Sequence, residues 1–308
     1  MSRFGSFRES LRGRSSLGKR GLPPSVRSFE RTVTSWARRP TAGGRVFPNF
    51  FIVGAQRAGT TSLFRYLERH PNIIGPVRNK GVHYYDTNYH RDLTWFRSQF
   101  PTAASVAAIE HATGAPVAVG EGSPYYLFHP QVPARIAGTL PDARIIVLLR
   151  DPVDRAISHY EHEKARGFEP LSLADALAAE PERLAGAEAA LRADPTLVHD
   201  GHLHHAYAGR STYTPQLERW FNHFDRSQVL VLGSQDLNER TRDAVDRTVD
   251  FLGLPAAPEL DYPQYNQRQY DPGDAEIRAA LAEQFAASNA RVSELTGIRF
   301  SPAGEIRP

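Results

Sequence analysis

Short apolar runs, separated by segments of helical periodicity, dominate the pattern of hydrophobic and polar positions. Such runs are typical of strands that are buried on both faces of a parallel sheet. We predict strands at 50–53, 117–120, 145–149 and 229–232, and helices at 60–69, 153–166, 173–179, 215–224, 241–252 and 275–295. Residues 167–210 add an alanine-rich helical stretch at 180–193 and a histidine-rich loop. The alternation of strands and helices favours a single α/β domain with a P-loop-like, doubly wound parallel sheet flanked by helices.

A glycine-bounded loop joins the first predicted strand to the first predicted helix. Gly54 and Gly59 allow the backbone to approach an anion, the loop amides and the helix dipole face that anion, and Arg57 adds a positive charge. The spacing matches the nucleotide triphosphatase loop as far as Gly59, but Thr60 and Thr61 follow where that motif requires Lys and then Ser or Thr. The pattern predicts phosphate binding; the alternative is a junction whose glycines are structural.

A second basic position follows the apolar run at 145–149. Arg150 ends this run, and Asp151 and Pro152 supply a cap and a first-turn proline for a helix that carries Ser158. Ligands of open α/β sheets bind at the carboxyl ends of the strands. Arg150 and Ser158 therefore predict a second anion site; the alternative is a capped helix with solvated arginines.

These segments together resemble the sulfotransferase superfamily that uses 3′-phosphoadenosine 5′-phosphosulfate (PAPS), in particular its heparan-sulfate-type branch and the bacterial relatives of that branch. The resemblance covers about residues 46 to 300, which we take as the sulfotransferase domain. Further segments occur in the family's order, at 80–90, 121–126, 213–220, 228–232, 251–254 and 266–270.

The resemblance implies transfer of a sulfuryl group from PAPS to a hydroxyl or amine of a small-molecule or glycan acceptor, without a metal. It implies that the 5′-phosphosulfate is held by Arg57, Ala58, Gly59, Thr60, Thr61 and Ser62. It also implies that Arg150 and Ser158 bind the 3′-phosphate, that Tyr213 lies near the adenine and ribose, and that Arg268 closes over the nucleotide.

Two glycines depart from the family pattern. Gly81 stands where the heparan-sulfate enzymes carry a glutamate thought to be the general base, and Gly122 replaces a lysine found in several of them. His83 lies two residues after Gly81, on the same face of an extended strand, and a histidine pKa near 6.5 suits proton removal at neutral pH. His83 is therefore the first candidate for the base, and a glutamate restored at position 81 is expected to replace it in part. A structural histidine is the alternative.

Three other side chains complete the predicted catalytic set. Arg57 faces the negative charge that develops on the leaving phosphate oxygen. Glu121 is the second candidate for the base. Lys80, if it points inward, neutralises charge on the bridging or sulfuryl oxygens; a surface lysine is the alternative.

Two other function classes stay open. A P-loop kinase or nucleotide hydrolase lacks the lysine that its motif requires after Gly59. A non-catalytic nucleotide-binding protein draws support from Gly81 alone. The histidines of the 167–210 segment lack a second ligand group at helical spacing, so no metal site is predicted there; these are His199, His202, His204 and His205.

The amino-acid composition limits the chemistry and the cellular location expected of the domain. The 308 residues are 41% hydrophobic and contain no cysteine, so a large core is possible but disulfides and thiol chemistry are excluded. The sequence shows neither a membrane-spanning apolar run nor a secretory signal, which predicts a cytoplasmic location.

The basic residues are concentrated near the amino terminus. Residues 1–45 contain eleven Lys or Arg and two Glu, a net +9 within a whole-chain charge of +3, so the rest of the chain carries −6. We predict a flexible, solvated basic tail with a short helix around 28–38, and a short tail at 301–308. Peripheral contact of the basic tail with an anionic membrane or a polyanion is the alternative, and no specific nucleic-acid partner is predicted.

Overall fold

Five parallel strands form one sheet in the computed structural model, which describes residues 38–256, 262 and 274–300. The strands are β1 Phe50–Gly54, β2 Ile73–Ile74, β3 Ala118–Gly122, β4 Arg144–Leu149 and β5 Val229–Gly233. They pair in the order β2-β3-β1-β4-β5, and every pairing is parallel. The predicted doubly wound α/β sheet is confirmed. The two-residue strand β2 was not predicted, because so short a segment carries no periodicity.

Helices cover both faces of this sheet. In the described part of the chain they are α1 Thr60–Leu67, α2 Leu93–Ser98, α3 Ala103–Thr113, α4 Val132–Thr139, α5 Pro152–Ala165, α6 Leu173–Leu184, α7 Ala187–Ala193, α8 Asp200–His204, α9 Tyr213–Phe221, α10 Ser234–Glu239, α11 Thr241–Phe251 and α12 Ala275–Thr296. The six individually predicted helices are confirmed with shifted ends. At the start of α5, the Asp151 side chain accepts a hydrogen bond from Asp154 N and Pro152 occupies the first turn, as predicted.

The segment between α5 and α9 differs from the prediction in two places. The stretch 180–193 is not one helix, because α6 ends at Leu184 and α7 begins after Gly186, whose φ of 71° is left-handed. The histidine-rich stretch is not simply a loop, because α8 begins after His199, whose side chain accepts a hydrogen bond from His202 N.

The order of the strands explains where the predicted site residues meet. Strand β1 lies between β3 and β4, and the residues of all three strands are buried except Arg144 at the start of β4. Because the strands are parallel, their carboxyl ends reach the same edge of the sheet. The loop after β1, the end of β3 at Gly122 and Arg150 after β4 therefore converge there.

The described chain begins before the predicted domain boundary at residue 46. A 3-10 helix at Arg39–Gly44 precedes Arg45, whose Nη1 donates to the Phe100 carbonyl at 2.7 Å. The predicted helix around 28–38, apart from Arg38, and the segment 301–308 lie outside the described residues. No helix of the described residues is long and apolar enough to cross a membrane.

Candidate active site

The loop after β1 ends at the N-terminus of α1. Gly59, at a φ of 93°, is the N-cap, and no side chain caps this helix end. Uncapped N–H groups at a helix N-terminus form a binding site for an anion. The residues predicted to hold the 5′-phosphosulfate lie along this turn: Ala58, Thr60 and Ser62 are buried, Thr61 is half-buried and Gly59 is exposed.

Gly54 has a packing role that the sequence analysis did not predict, and its approach to an anion stays a prediction. A Cβ atom at this position would lie 2.5 Å from the Leu127 Cβ atom. The glycine therefore permits close packing of β1 against residues 124–127, where Leu127 N donates to the Val53 carbonyl at 2.8 Å.

The two predicted anion sites are joined by hydrogen bonds. Arg57 Nε donates to Ser158 Oγ at 3.2 Å, and Arg150 Nη1 lies 3.4 Å from the Arg57 carbonyl. Ser158 is buried on α5, whereas the Arg150 side chain keeps 31% of its surface exposed, with Asp154 Oδ2 3.9 Å away. The structure thus brings together the loop after β1 and the turn after β4, as the sequence predicted.

Tyr213 holds the backbone of Arg150 by a hydrogen bond. Its ring is fully buried, and its hydroxyl donates to the Arg150 carbonyl at 2.9 Å. Burial raises the pKa of the hydroxyl, so it stays a donor at neutral pH. Contact of Tyr213 with a nucleotide stays a prediction. Arg268 lies outside the described residues.

Two candidate residues have strained backbones. Among the described residues that are not glycine, Arg57 at a φ of 74° and His83 at 54° have positive φ angles. A side chain in this conformation costs about 1–2 kcal/mol, and such strain concentrates at functional sites. The strain therefore marks both residues as candidates independently of sequence motifs.

Lys80 points into the loop and not into solvent. Its Nζ atom donates to Thr60 Oγ1 at 2.9 Å and to Thr61 Oγ1 at 3.2 Å. Its aliphatic stem crosses Gly122, where a Cβ atom would lie 3.1 Å from Lys80 Cε. Burial and the charge of Arg65, offset in part by Glu121, lower the pKa of Lys80 to about 7. Lys80 thus brings an amine to the helix end where the triphosphatase motif carries its lysine.

His83 forms a pair with a buried carboxylate. Its Nδ1 atom donates to Asp86 Oδ2 at 2.8 Å; the His83 side chain is 37% exposed and that of Asp86 is fully buried. Burial lowers the pKa of His83, but the attraction of Asp86 is stronger in sum and raises it above the ordinary value. With Nδ1 bound to Asp86, the neutral imidazole presents its lone pair on Nε2. His83 is therefore equipped to accept a proton.

The argument that brought Gly81 and His83 to one strand face is wrong. Residues 80–83 have no strand conformation, and His83 is left-handed. The structure also argues against the expected compensation by a glutamate at position 81, which stays to be tested. A Cβ atom there would lie 2.7 Å from the Gly122 carbonyl oxygen and 2.9 Å from Ser123 Oγ, so a side chain requires the backbone to move.

Glu121, the second candidate for the base, is buried at the end of β3. Its carboxylate accepts hydrogen bonds from Val82 N at 2.5 Å, Ser123 Oγ at 2.9 Å and Tyr126 Oη at 2.9 Å. Burial raises its pKa, although these hydrogen bonds act in the opposite direction. The carboxylate thus anchors the segment between Lys80 and His83 to the sheet.

A cavity of about 290 Å³ lies beside His83. Its polar wall includes residues that the sequence analysis did not single out as site residues: Gln56, Thr87, Glu163, Arg166 and, outside its part in the histidine stretch, His204. Pro124, Tyr125 and Leu203 add apolar surface.

Buried Arg210 connects this cavity to the loop after β1. Its Nη1 atom donates to Gln56 Oε1, and its Nη2 atom donates to the His202 and Leu203 carbonyls at 2.6 Å each. Its guanidinium carbon lies 4.7 Å from the centre of the Tyr125 ring. No sequence signal distinguished Arg210, because its partners are brought to it only by the tertiary fold.

Three of the four histidines near residue 200 have separate partners, and His199 Nδ1 accepts a hydrogen bond from His202 N. His202 Nδ1 is 2.7 Å from Tyr125 Oη, His204 Nδ1 is 2.9 Å from Glu163 Oε2, and His205 Nε2 is 3.1 Å from the Phe168 carbonyl. The described residues contain no group of three or more His, Cys, Asp or Glu side chains that could hold a metal ion.

Comparisons with known proteins place this geometry in a family. Residues 47–270 match the family described as "Sulfotransferase domain", and the chain belongs to that family. Among solved structures, it is similar to a sulfotransferase from Alicyclobacillus acidocaldarius, with 30% identity, a TM-score of 0.62, and coverage of 83% of this chain and 98% of that chain.

Two curated relatives are similar over most of this chain. The membrane-associated sulfotransferase kil1 of Dictyostelium discoideum is 25% identical, over 82% of this chain and 66% of the relative. The bifunctional heparan sulfate N-deacetylase/N-sulfotransferase 4 of Mus musculus is 27% identical, over 84% of this chain and 31% of the relative. The chain therefore spans less than two thirds of each relative's length.

Proposed function

We propose that this protein transfers a sulfuryl group from PAPS to a hydroxyl or amine of an acceptor. The hydrogen bond between Arg57 and Ser158 carries the proposal, because it couples the loop after β1 to helix α5, which follows β4. A ligand that fills both sites carries two separated anionic groups. PAPS has this character, with a 5′-phosphosulfate and a 3′-phosphate, whereas ATP carries all of its phosphates on one chain.

The donor loop supplies charge stabilisation. When the sulfuryl group leaves, negative charge develops on the 5′-phosphate oxygen. The uncapped N-terminus of α1, Arg57 and Lys80 are the groups assigned to this charge. Arg150 and Ser158 are assigned to the 3′-phosphate, where a guanidinium and a hydroxyl both donate hydrogen bonds.

The base is assigned to His83. The acceptor oxygen or nitrogen bonds to sulfur, the bond between sulfur and the 5′-phosphate oxygen breaks, and His83 Nε2 takes the acceptor's proton. Asp86, at 2.8 Å, stabilises the imidazolium that results. Glu121 is the weaker candidate, because it is fully buried and already accepts three hydrogen bonds.

The acceptor is assigned to the cavity beside His83. Its volume of about 290 Å³ fits one sugar ring or one small molecule at a time. The mouse relative is a bifunctional heparan sulfate N-deacetylase/N-sulfotransferase, so an amino sugar is one acceptor to test. The cavity's mixed polar and apolar wall suits a carbohydrate, which presents hydroxyl groups around an apolar ring face.

Thermal unfolding with nucleotides tests the donor assignment. Adenosine 3′,5′-bisphosphate (PAP) should raise the unfolding temperature more than ATP with Mg²⁺ or AMP at the same concentration, because a ligand at 100 times its Kd stabilises the native state by about 2.7 kcal/mol. Greater stabilisation by ATP with Mg²⁺ would instead support a kinase or nucleotide hydrolase.

Transfer itself is tested with PAPS labelled in its sulfuryl group and an acceptor panel of glucosamine and methyl β-D-glucopyranoside. The proposal expects a labelled acceptor and unlabelled PAP. Stabilisation by PAP without transfer to the panel would favour a non-catalytic binding protein.

A further inference from the structure

The acceptor cavity contains a second histidine that is paired with a buried carboxylate. His204, at the end of α8, donates from Nδ1 to Glu163 Oε2 at 2.9 Å, as His83 donates to Asp86. Both carboxylate side chains are fully buried, and both histidines line the cavity. In the part of the chain that the structure describes, His204 Nε2 has no hydrogen-bond partner.

The position of His204 is fixed by more than one contact. Its ring stacks on the Phe168 ring, with centroids 4.1 Å apart and planes 12° apart. The Arg166 guanidinium carbon lies 4.6 Å from the centre of the Phe168 ring, and Arg166 Nη1 donates to both Glu163 oxygens at 3.2 Å. Together these contacts form one cluster of four residues: Glu163, Arg166, Phe168 and His204.

This cluster of four residues also explains why an aromatic side chain lies at the surface. Phe168 is 41% exposed, which is unfavourable for a large apolar side chain. Its stacking contact holds the His204 ring in place. A side chain that binds a ligand gains affinity when its conformation is fixed in advance, because less entropy is lost on binding.

We infer that His204 is an acceptor-binding residue, positioned by Glu163, and that the acceptor carries a second hydrogen-bonding group beside its nucleophile. This inference rests on the proposed function. His83 removes the proton from the attacking group, and His204 Nε2 binds another group of the same molecule. Polyhydroxylated acceptors have this character, whereas acceptors with a single hydroxyl do not.

Two substitutions separate this role from a structural one. In His204→Asn, the amide occupies the place of Nδ1 and keeps the bond to Glu163, but nothing replaces Nε2. In His204→Gln, the longer side chain brings its amide to the place of Nε2 and loses the bond to Glu163. We expect His204→Asn to raise the acceptor KM about tenfold, as for the loss of one hydrogen bond. We expect His204→Gln to bring KM most of the way back to the wild-type value. A wild-type acceptor KM in His204→Asn together with a raised KM in His204→Gln would assign His204 a structural role.

The assay compares methyl β-D-glucopyranoside with cyclohexanol, which has one hydroxyl on a ring of the same size. The substitution should raise KM for the glucoside with little change in kcat, while transfer to cyclohexanol stays the same or is too slow to measure. His205→Ala is the matched control, because His205 adjoins His204 but does not line the cavity. Unchanged PAP affinity shows that each variant is folded.

The result that overturns the inference is an unchanged KM in His204→Asn. Wild-type transfer to cyclohexanol that is as efficient as transfer to the glucoside, or transfer to cyclohexanol alone, also overturns it. Failure of the proposed function is a separate result, namely no binding of PAP or no transfer from PAPS to any acceptor of the panel.

Discussion

Binding of PAP should be coupled to protonation of Lys80. Burial lowers the pKa of Lys80 to about 7, and its Nζ atom is bonded to Thr60 and Thr61 at the predicted 5′-phosphate site. A bound phosphate brings negative charge close to this amine and raises its pKa, because an opposite charge favours the protonated form. The protein should therefore take up a proton when it binds PAP above pH 7.

The size of this uptake follows from the pKa. With a pKa of about 7 in the free protein, Lys80 is about nine-tenths deprotonated at pH 8 and about one-tenth at pH 6. If PAP raises the pKa above 9, binding takes up ~0.9 proton at pH 8 and ~0.1 at pH 6. By the same linkage, PAP affinity should fall up to about tenfold per pH unit as pH rises from 7 toward the pKa of the complex.

Calorimetry in buffers of different ionisation enthalpy measures the uptake directly. Lys80→Met retains a comparable apolar stem without the amine, and it should abolish most of the proton uptake at pH 8. His83 and the phosphates also exchange protons, and subtracting the uptake of the variant removes their contribution. Equal uptake by the wild-type protein and Lys80→Met at pH 8 would refute the assignment of Lys80 to the donor phosphate.

Other predictions concern the anion sites and the base. Arg150→Ala should weaken PAP by about 1.5–3 kcal/mol, the value of a charged hydrogen bond, with little effect on AMP by calorimetry; equal weakening of both nucleotides would contradict a 3′-phosphate site. Arg57→Ala should lower kcat at saturating PAPS more than it weakens PAP, because its charge acts on the transition state; an unchanged kcat would reject that role. His83→Asn, chosen because Asn tolerates the left-handed backbone, should lower kcat about 100-fold with PAP affinity within a few-fold. Since a base must be unprotonated, the wild-type rate should rise with pH through the His83 pKa, above its ordinary value, and this rise should be absent in the variant. Adding Gly81→Glu to His83→Asn should recover no activity, because a Cβ atom there meets the Gly122 carbonyl at 2.7 Å; recovery would show that the backbone yields.

The fold was predictable because its determinants are local. Strands β1, β4 and β5 are short, mainly apolar runs whose residues are buried except Arg144 and Leu230, and the cap and proline before α5 are consecutive residues. The convergence of the loop after β1 with Arg150 followed from a general property of parallel sheets, that their carboxyl ends share one edge.

The acceptor side was less predictable, because its contacts join distant segments. The Arg210 guanidinium contacts Gln56, 154 residues earlier, and His204 contacts Glu163, 41 residues earlier. A lone arginine or histidine in a sequence gives no indication of such partners. The strand assumed for residues 80–83 failed for a related reason: the side chain of Glu121, 39 residues after Val82, holds that segment in an irregular conformation.

Gly81 and Gly122, the two glycines at which the sequence analysis predicts a departure from the family pattern, belong to one structural feature. Gly122 N donates to the Lys80 carbonyl at 2.8 Å, and a Cβ atom on Gly81 would meet the Gly122 carbonyl at 2.7 Å. A Cβ atom on Gly122 would press on the Lys80 stem, at 3.1 Å from Cε. The absence of both side chains therefore lets the segment lie against the end of β3, with the Lys80 amine at Thr60 and Thr61. The same close approach leaves no room for a glutamate at position 81, so the assignment of proton removal falls to a neighbouring side chain. His83 meets that requirement, because its backbone N–H donates to Ser123 Oγ at 3.1 Å and its ring is bonded to Asp86.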